Sequence, residues 1–293
     1  MEKGLTLLIY LLLISLFSLA DSHPFKEDPK CRDCHAALLE KQSIHAPAKN
    51  GCDMCHQINT TEHSQNKSKG LFLLKKLPEL CYTCHAGTKK EIDTSRVVHH
   101  AVNEKKQCTN CHSPHSSNEK KLLTADKKEL CLGCHDKEEV IFGKKITNIK
   151  QLLKTSKVIH PALNGGCTSC HKPHASAENY LLISAYPAGQ YAEGKKDNYA
   201  VCWECHDSDL LELAKTSTAT GFRDGERNLH FVHVNGKKGR SCSICHDVHA
   251  TKREHLIVEK VPFGEWEMPL NYIPSESGGS CSPGCHQQYQ YTR

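Results

Sequence analysis

Eighteen cysteines govern what this chain can become, because all of them fall in pairs and every pair is followed at once by histidine. The pairs are Cys31/Cys34, Cys52/Cys55, Cys81/Cys84, Cys108/Cys111, Cys131/Cys134, Cys167/Cys170, Cys202/Cys205, Cys242/Cys245 and Cys281/Cys285. The histidines that follow are His35, His56, His85, His112, His135, His171, His206, His246 and His286. Eight motifs are C-x-x-C-H; the last is C-x-x-x-C-H, whose extra residue must bulge. An exported chain so rich in cysteine ordinarily reads as a disulfide framework, and a bare C-x-x-C is half a zinc site. Neither has a use for histidine after every second cysteine. Covalent haem attachment does. Two thiols on one turn each add across one of the two vinyl groups at a haem edge, and the next residue lies under the iron as its proximal ligand. The spacing predicts nine covalent c-type haems, with no cysteine left over.

Composition agrees with an interior filled by something other than side chains. The 293 residues contain only 6% aromatics, and mean hydropathy is −0.54. That is too little apolar material to offset the entropy of ordering a backbone of this length. Motif spacings of 21 to 40 residues leave room for short helices only. The expected fold is therefore short helices and loops wrapped around a chain of covalent haems, with little or no sheet.

The N-terminus reads as an export signal over residues 1–20. Met1-Glu2-Lys3 is charged, Leu5 to Leu19 is uncharged and apolar, and Ser18-Leu19-Ala20 offers small residues for cleavage. The apolar run falls short of the about 20 residues needed to span a bilayer, although an uncleaved anchor is the other reading. No cysteine stands at the cleavage site, which argues against a lipoprotein. The mature chain, 21–293, is expected to be one nonahaem domain in the periplasm. Association with the outer membrane, or an extracellular location, is the alternative.

Twelve histidines lie outside the motifs, enough to supply nine second axial ligands. Methionine cannot be the general alternative, since only Met54 and Met268 remain beyond the signal. Histidine on both faces leaves haem potential lower than methionine ligation does. An internal repeat then assigns the ligands. After a lead motif at 31–35, four two-haem copies run over about 44–85, 97–135, 158–206 and 230–286. Val97-Val98-His99-His100-Ala101-Val102-Asn103 matches Val158-Ile159-His160-Pro161-Ala162-Leu163-Asn164, and each leads through C-x-x-C-H to a leucine pair (Leu122-Leu123, Leu181-Leu182) and a second motif.

Each copy supplies a histidine before its first motif: His45, His99, His160 and His233. Three copies supply another, three residues past the proximal one: His115, His174 and His249. The first copy has Asn59 at that position and His63 four residues later, so His63 is taken as its substitute. His230 completes the nine, and His23, His100 and His255 are spares. A histidine tethered just beyond a proximal ligand cannot pass its own macrocycle, and Pro114 and Pro173 break any helix that would carry it on. His115, His174 and His249 are therefore expected to ligate neighbouring irons, which would hold adjacent rings close.

The alternation of His, C-x-x-C-H-x-P-H, paired leucine and second C-x-x-C-H resembles the doubled-CxxCH family of multihaem cytochromes c. The ending resembles it too, from Val261-Pro262-Phe263-Gly264 through Cys281-Ser282-Pro283-Gly284-Cys285-His286. The resemblance covers essentially the whole mature chain. It implies bis-histidine haems and electron transfer in anaerobic respiration, with no catalytic residue. Its partners would be quinol-oxidising or periplasmic cytochromes upstream and an outer-membrane porin–cytochrome conduit downstream. A multihaem reductase of nitrite, hydroxylamine or a sulfur oxyanion is the second reading, and a conductive filament subunit the third.

The formal charge of +5 does not indicate nucleic acid. Each haem brings two propionates and, when ferric, one positive charge at its core, so nine turn the sum to about −4. The lysine pairs are expected as propionate partners and solvated faces.

Overall fold

The computed structural model describes residues 29–59, 62–63, 69–141 and 143–293. The leader read at 1–20 and the spare His23 lie outside the described residues. Two compact units result: residues up to Leu74 together with Pro114–Ser117, and Lys75–Ser113 together with Asn118–Arg293. The expectation of one domain over 21–293 drew no such division.

Helices are short throughout, the longest described one being Ala86–Thr94 with nine residues. No described helix is long and apolar enough to cross a membrane. The two kinds of motif differ in backbone. In the first three copies the second motif sits at a helix: Cys81 in Glu79–Tyr82, Cys131 in Lys127–Leu132 and Cys202 in Ala200–Trp203. Asp126 caps Lys127–Leu132 by accepting from the Lys128 and Glu129 amides, which satisfies donors that a helix start leaves free. The first motifs use 3-10 turns instead, at Cys52–Met54, Gln107–Asn110, Cys167–Ser169 and Cys242–Ile244. Both kinds bring the two thiols onto one turn. The amide of the second cysteine donates to the carbonyl of the first at 3.2–3.3 Å in seven motifs, from Cys55/Cys52 to Cys245/Cys242.

The expectation of little or no sheet needs correcting. The described residues form nine small sheets, eight of two strands and one of three. Three of them link successive copies. Ser43–Ile44 pairs with Ser116–Ser117, Val97–Val98 with Ala175–Ser176, and Val158–Ile159 with Ala250–Thr251. Each joins the segment before a copy's first motif to the segment after the next copy's first motif. Backbone amides and carbonyls must find partners even in a loop-rich chain, and two-residue pairings are the shortest way to give them some. The C-terminal region carries the longest strands. Lys260–Phe263 pairs with Trp266–Pro269, and Gly278–Cys281 lies between Ile273–Ser275 and Tyr289–Thr292. A Cβ at Gly278 would collide with the Tyr291 carbonyl, so only glycine lets these two strands approach so closely.

The polypeptide's own core is small. Ile244, Val261, Met268 and Leu270 form its one described cluster of buried apolar residues, with Ile257 and Val258 packed against it. Elsewhere Phe72, Val140 and Ile273 stand 57%, 72% and 63% exposed. Side-chain burial of this extent cannot by itself order so long a chain.

One backbone feature repeats at the leucine pairs. Lys121/Leu122, Tyr180/Leu181 and His255/Leu256 all lie in the left-handed region, with φ between 56° and 58°. For residues other than glycine this costs roughly 1–2 kcal/mol each. The return segment is nevertheless held in register, because His112 bridges to Leu123, His171 to Leu182 and His246 to Ile257.

Candidate haem-binding sites

The motif turns fix where each proximal histidine starts, and the inter-copy strands fix where the other histidines arrive. His45, His99 and His160 donate their backbone amides to the carbonyls of His115, His174 and His249 at 2.8–2.9 Å. The histidine before one copy is thus tied to the histidine after the next copy's first motif. Side chains reinforce two of these junctions, His45 Nδ1 donating to the Pro114 carbonyl and His99 Nδ1 to the Pro173 carbonyl, both at 2.9 Å.

Eight proximal rings face one other imidazole each. The pairs are His35 with His63, His56 with His115, His99 with His135, and His112 with His174. The others are His160 with His206, His171 with His249, His230 with His246, and His233 with His286. Their centroids are 5.9–6.4 Å apart. Rings in direct face contact would lie about 3.5–4 Å apart. Two imidazoles on opposite sides of one metal, at about 2 Å to nitrogen with about 1.1 Å more to each ring centre, would be about 6.2 Å apart. The residues present therefore fit a bis-histidine haem at each pair. No group of three or more His, Cys, Asp or Glu side chains among the described residues could hold a metal ion. No two of the eighteen cysteines form a disulfide.

Electrostatics favour the ligating form of these rings. Burial pushes the pKa of His56, His99, His115, His135, His160, His171, His174, His233 and His246 downward. His230 goes furthest, to about 4. A neutral imidazole has the free nitrogen lone pair a metal needs. The other ring nitrogen is often held. His230 Nδ1 lies 3.0 Å from Thr220 Oγ1, His233 Nδ1 donates to the Leu229 carbonyl at 2.6 Å, and His63 Nδ1 to that of Lys69 at 3.1 Å. His174 and His249 have carboxylates nearby, Glu91 at 3.7 Å and Asp247 at 3.6 Å. Such partners orient a ligand and raise its basicity.

The attachment cysteines form their own series. Cys81 hydrogen-bonds Cys108, Cys131 bonds Cys167 and Cys202 bonds Cys242. In these couples Cys108, Cys167 and Cys202 are pushed down by the shared hydrogen bond, and Cys131 and Cys242 are pushed up by it. Within copies the second cysteines come close enough to interact: Cys111 with Cys134, Cys170 with Cys205, and Cys245 with both Cys281 and Cys285. First cysteines thus hydrogen-bond between copies, and each first-motif second cysteine lies near the second motif of its own copy.

Exposure separates cysteines that the motif treats alike. Cys34, Cys84, Cys134, Cys205 and Cys285 are exposed, whereas the other thirteen are half-buried. The backbone gives the reason. In each first motif a return segment lies over the second cysteine and donates an amide to its carbonyl: Leu74 to Cys55, Thr124 to Cys111, Ile183 to Cys170 and Val258 to Cys245. Cys34 instead sits at the end of the helix Pro29–His35. Cys84, Cys134 and Cys205 each come two residues past a short helix, Glu79–Tyr82, Lys127–Leu132 and Ala200–Trp203. A thiol at the open end of a helix of four to seven residues has little polypeptide to cover it.

Sequence reasoning missed several groups around the rings. Thr220, Glu91 and Asp247 carry no motif, and only the fold brings them there. Two spares have other tasks: His100 pairs with Glu104 at 2.9 Å, and the His255 carbonyl accepts from His246 Nδ1 at 2.8 Å. At the ninth motif, Cys285 Sγ lies 3.2 Å from Met268 Sδ. Gly284 packs so closely on Trp266 and Met268 that a Cβ there would clash with both.

Comparison with known proteins decides the family. The sequence matches the family described as the doubled CXXCH motif over residues 45–90, 99–140 and 160–210. The chain belongs to the doubled-CxxCH multihaem cytochromes c. Among its relatives, the multiheme cytochrome MtrA of Shewanella baltica is 26% identical over 190 residues, covering 58% of this chain and 46% of the relative. The cytochrome c-type protein NrfH of Wolinella succinogenes is 26% identical over 170 residues, covering 56% of this chain and 85% of the relative. This cytochrome therefore spans under half the length of the first of these relatives.

Proposed function

We propose that this cytochrome carries electrons along nine covalent haems, each with histidine on both faces. The observation that carries the reading is the set of eight facing imidazole pairs at 5.9–6.4 Å, each joining a motif histidine to one outside the motifs. His35, His56, His112, His135, His171, His206, His246 and His286 would be the proximal ligands of these pairs. His63, His115, His174, His99, His249, His160, His230 and His233 would be their respective distal ligands. His45 stands in its copy where His99, His160 and His233 stand in theirs and takes the same role. All eighteen cysteines, the exposed Cys34 and Cys84 included, would carry the thioethers; an exposed thiol is the more accessible to the attachment machinery. Haem iron supplies one-electron chemistry, cycling between ferric and ferrous.

The chain's own residues do the rest. Imidazoles on both faces keep water and substrates off the metal, which favours a carrier over a reductase. The alternating cysteine contacts support a linear order of haems that follows the sequence from Cys81 to Cys285, each attachment edge facing the next. Export to the periplasm, with redox proteins as partners on both sides, agrees with the leader read at 1–20. Delivery to the outer membrane or an extracellular acceptor is the extension of that reading.

Intact mass and spin state test the proposal. Protein matured with haem-attachment machinery should carry nine haems, low-spin in both oxidation states and slow to bind carbon monoxide when reduced. Eight haems would mean an empty Cys281/Cys285 site. Fewer than seven, or a prominent high-spin signal, would overturn the carrier reading.

A further inference from the structure

The four first-motif haems are not equivalent, because their proximal histidines meet different backbones. In the second, third and fourth copies, the proximal Nδ1 donates to a carbonyl from the return segment. His112 reaches Lys121 at 2.8 Å, His171 reaches Tyr180 at 2.9 Å and His246 reaches His255 at 2.8 Å. Each acceptor is the first residue of a left-handed pair. Three unrelated side chains, lysine, tyrosine and histidine, adopt the same costly conformation, so the common element is the carbonyl they present.

The first copy is built otherwise. His56 pairs with Leu73 as His112 pairs with Leu123, and the Cys55 carbonyl accepts from Leu74 as that of Cys111 does from Thr124. The register is the same, and Leu71 therefore stands where Lys121, Tyr180 and His255 stand. Yet Leu71–Leu73 is an ordinary strand against His56–Ile58, with no left-handed residue. Its carbonyls lie in the plane of the hairpin, perpendicular to the strands. Among the described residues, His56 Nδ1 is buried with no hydrogen-bond partner.

We propose that the left-handed carbonyls of Lys121, Tyr180 and His255 are redox-tuning groups, and that their absence makes the haem at Cys52/Cys55 the most easily reduced of the four first-motif haems. A carbonyl accepting from Nδ1 draws the proton away from the ring and strengthens its donation to the metal, and stronger donation favours ferric over ferrous iron. His112, His171 and His246 gain this push, whereas His56 does not. An electron moving among these four haems therefore rests preferentially at the one held by His56: that iron gains the electron and its donor loses it. The paired leucines of the repeat thus have a function in the backbone rather than in their side chains. The inference rests on the bis-histidine reading above.

The test is a haem-resolved redox titration of the fully haem-loaded protein by NMR, with haem signals assigned through the thioethers of Cys52/Cys55, Cys108/Cys111, Cys167/Cys170 and Cys242/Cys245. In the unaltered protein the Cys52/Cys55 haem should be reduced first of the four; if it is reduced after any of the others, the proposal fails. Tyr180→Pro then removes one carbonyl, since proline fixes φ near −65° and cannot adopt +57°. The Cys167/Cys170 haem should rise in potential. Tyr180→Asn, which keeps the left-handed backbone but loses the side-chain bond to the Ala188 carbonyl, should leave that potential in place. Equal potentials in both variants would overturn the tuning role. Should Tyr180→Pro fail to mature, the order in the unaltered protein decides the question alone. Failure of the ligation reading looks different: a high-spin haem in the unaltered protein.

Discussion

The inner copies and the last copy solve one problem in two ways. In the first three copies, the ring facing the first-motif histidine comes from the copy that follows: His115 faces His56, His174 faces His112 and His249 faces His171. The fourth copy is built otherwise. There His230 faces His246, and His233, one position short of a turn further along the same helix Leu229–Val234, faces His286. This helix presents two rings to motif histidines, where the segment before the first motif of the second and third copies presents one.

Substitutions at the facing rings should break this comparison most sharply. His174→Ala should leave the haem at Cys167/Cys170 attached and low-spin, yet open the iron held by His112, one copy earlier. His115→Ala should likewise open the iron of His56, and His249→Ala that of His171. His230→Ala should instead open an iron within its own copy, that of His246. Each variant should show one new high-spin haem per molecule by electron paramagnetic resonance, and a structure would name the iron. If His174→Ala opened the iron of His171, or changed no spin state, lending between copies would be wrong.

A second contrast lies at the motif turns. The ninth motif has one residue more than the others, and Gly284 lets that longer loop settle against Trp266 and Met268. Gly284→Val should lower covalent loading from nine haems to eight, read as the loss of one haem mass. The corresponding change in an inner turn, Asp53→Val, has an exposed side chain to replace and should leave nine.

The helix Leu229–Val234 is anchored at its start by Asn228. Asn228 is fully buried, accepts from the Phe231 amide at 3.2 Å as the helix cap, and donates to the Leu213 and Leu210 carbonyls at 2.8 and 3.2 Å. Asn228→Ala removes the cap and leaves buried carbonyls without their donor, at a cost of about 3 kcal/mol. Denaturant melting should register it as an early loss of the His230 and His233 end. Asn148, which caps Ile149–Thr155 by accepting from Gln151 alone at 2.8 Å, should cost about 1 kcal/mol when changed to alanine.

The smallest effect should come from Thr220. Its hydroxyl is 3.0 Å from His230 Nδ1, and Thr220→Val removes that partner while keeping the shape. The haem between His230 and His246 should remain low-spin and shift modestly upward in potential, with the haems of the inner copies unmoved. A new high-spin signal would mean that Thr220 positions the ring rather than tuning it.

How much of this was legible beforehand depended on the range of the contact. The attachment residues are written within five or six consecutive positions, because two thioethers on one haem edge demand cysteines on one turn. The histidine surplus, the methionine shortage and the four copies were equally plain. The exposure of Cys34 and Cys84 was not, because it depends on whether a distant return segment crosses the turn. Sheet content was underestimated because the pairs are two residues long, as in Val97–Val98 with Ala175–Ser176, and no alternation pattern can develop over two positions. His100 and His255 looked like spare ligands, yet one meets Glu104 and the other lends a backbone carbonyl.

The sequence by itself determined the cofactor class and the stock of imidazoles, since these follow from covalent chemistry and counting. Tertiary structure alone decided which imidazole faces which. His99 and His135 are 36 residues apart, and His112 and His174 are 62 apart. Nothing local distinguishes one distant ring from another until the strand pairings between copies fix their positions. The same holds for the carbonyls on His112, His171 and His246: a left-handed turn at Lys121, Tyr180 and His255 is written in no side-chain preference. It goes with a return segment that meets His112, His171 and His246 at a single bridge each, whereas Leu71–Leu73 pairs along three residues with His56–Ile58 and stays extended.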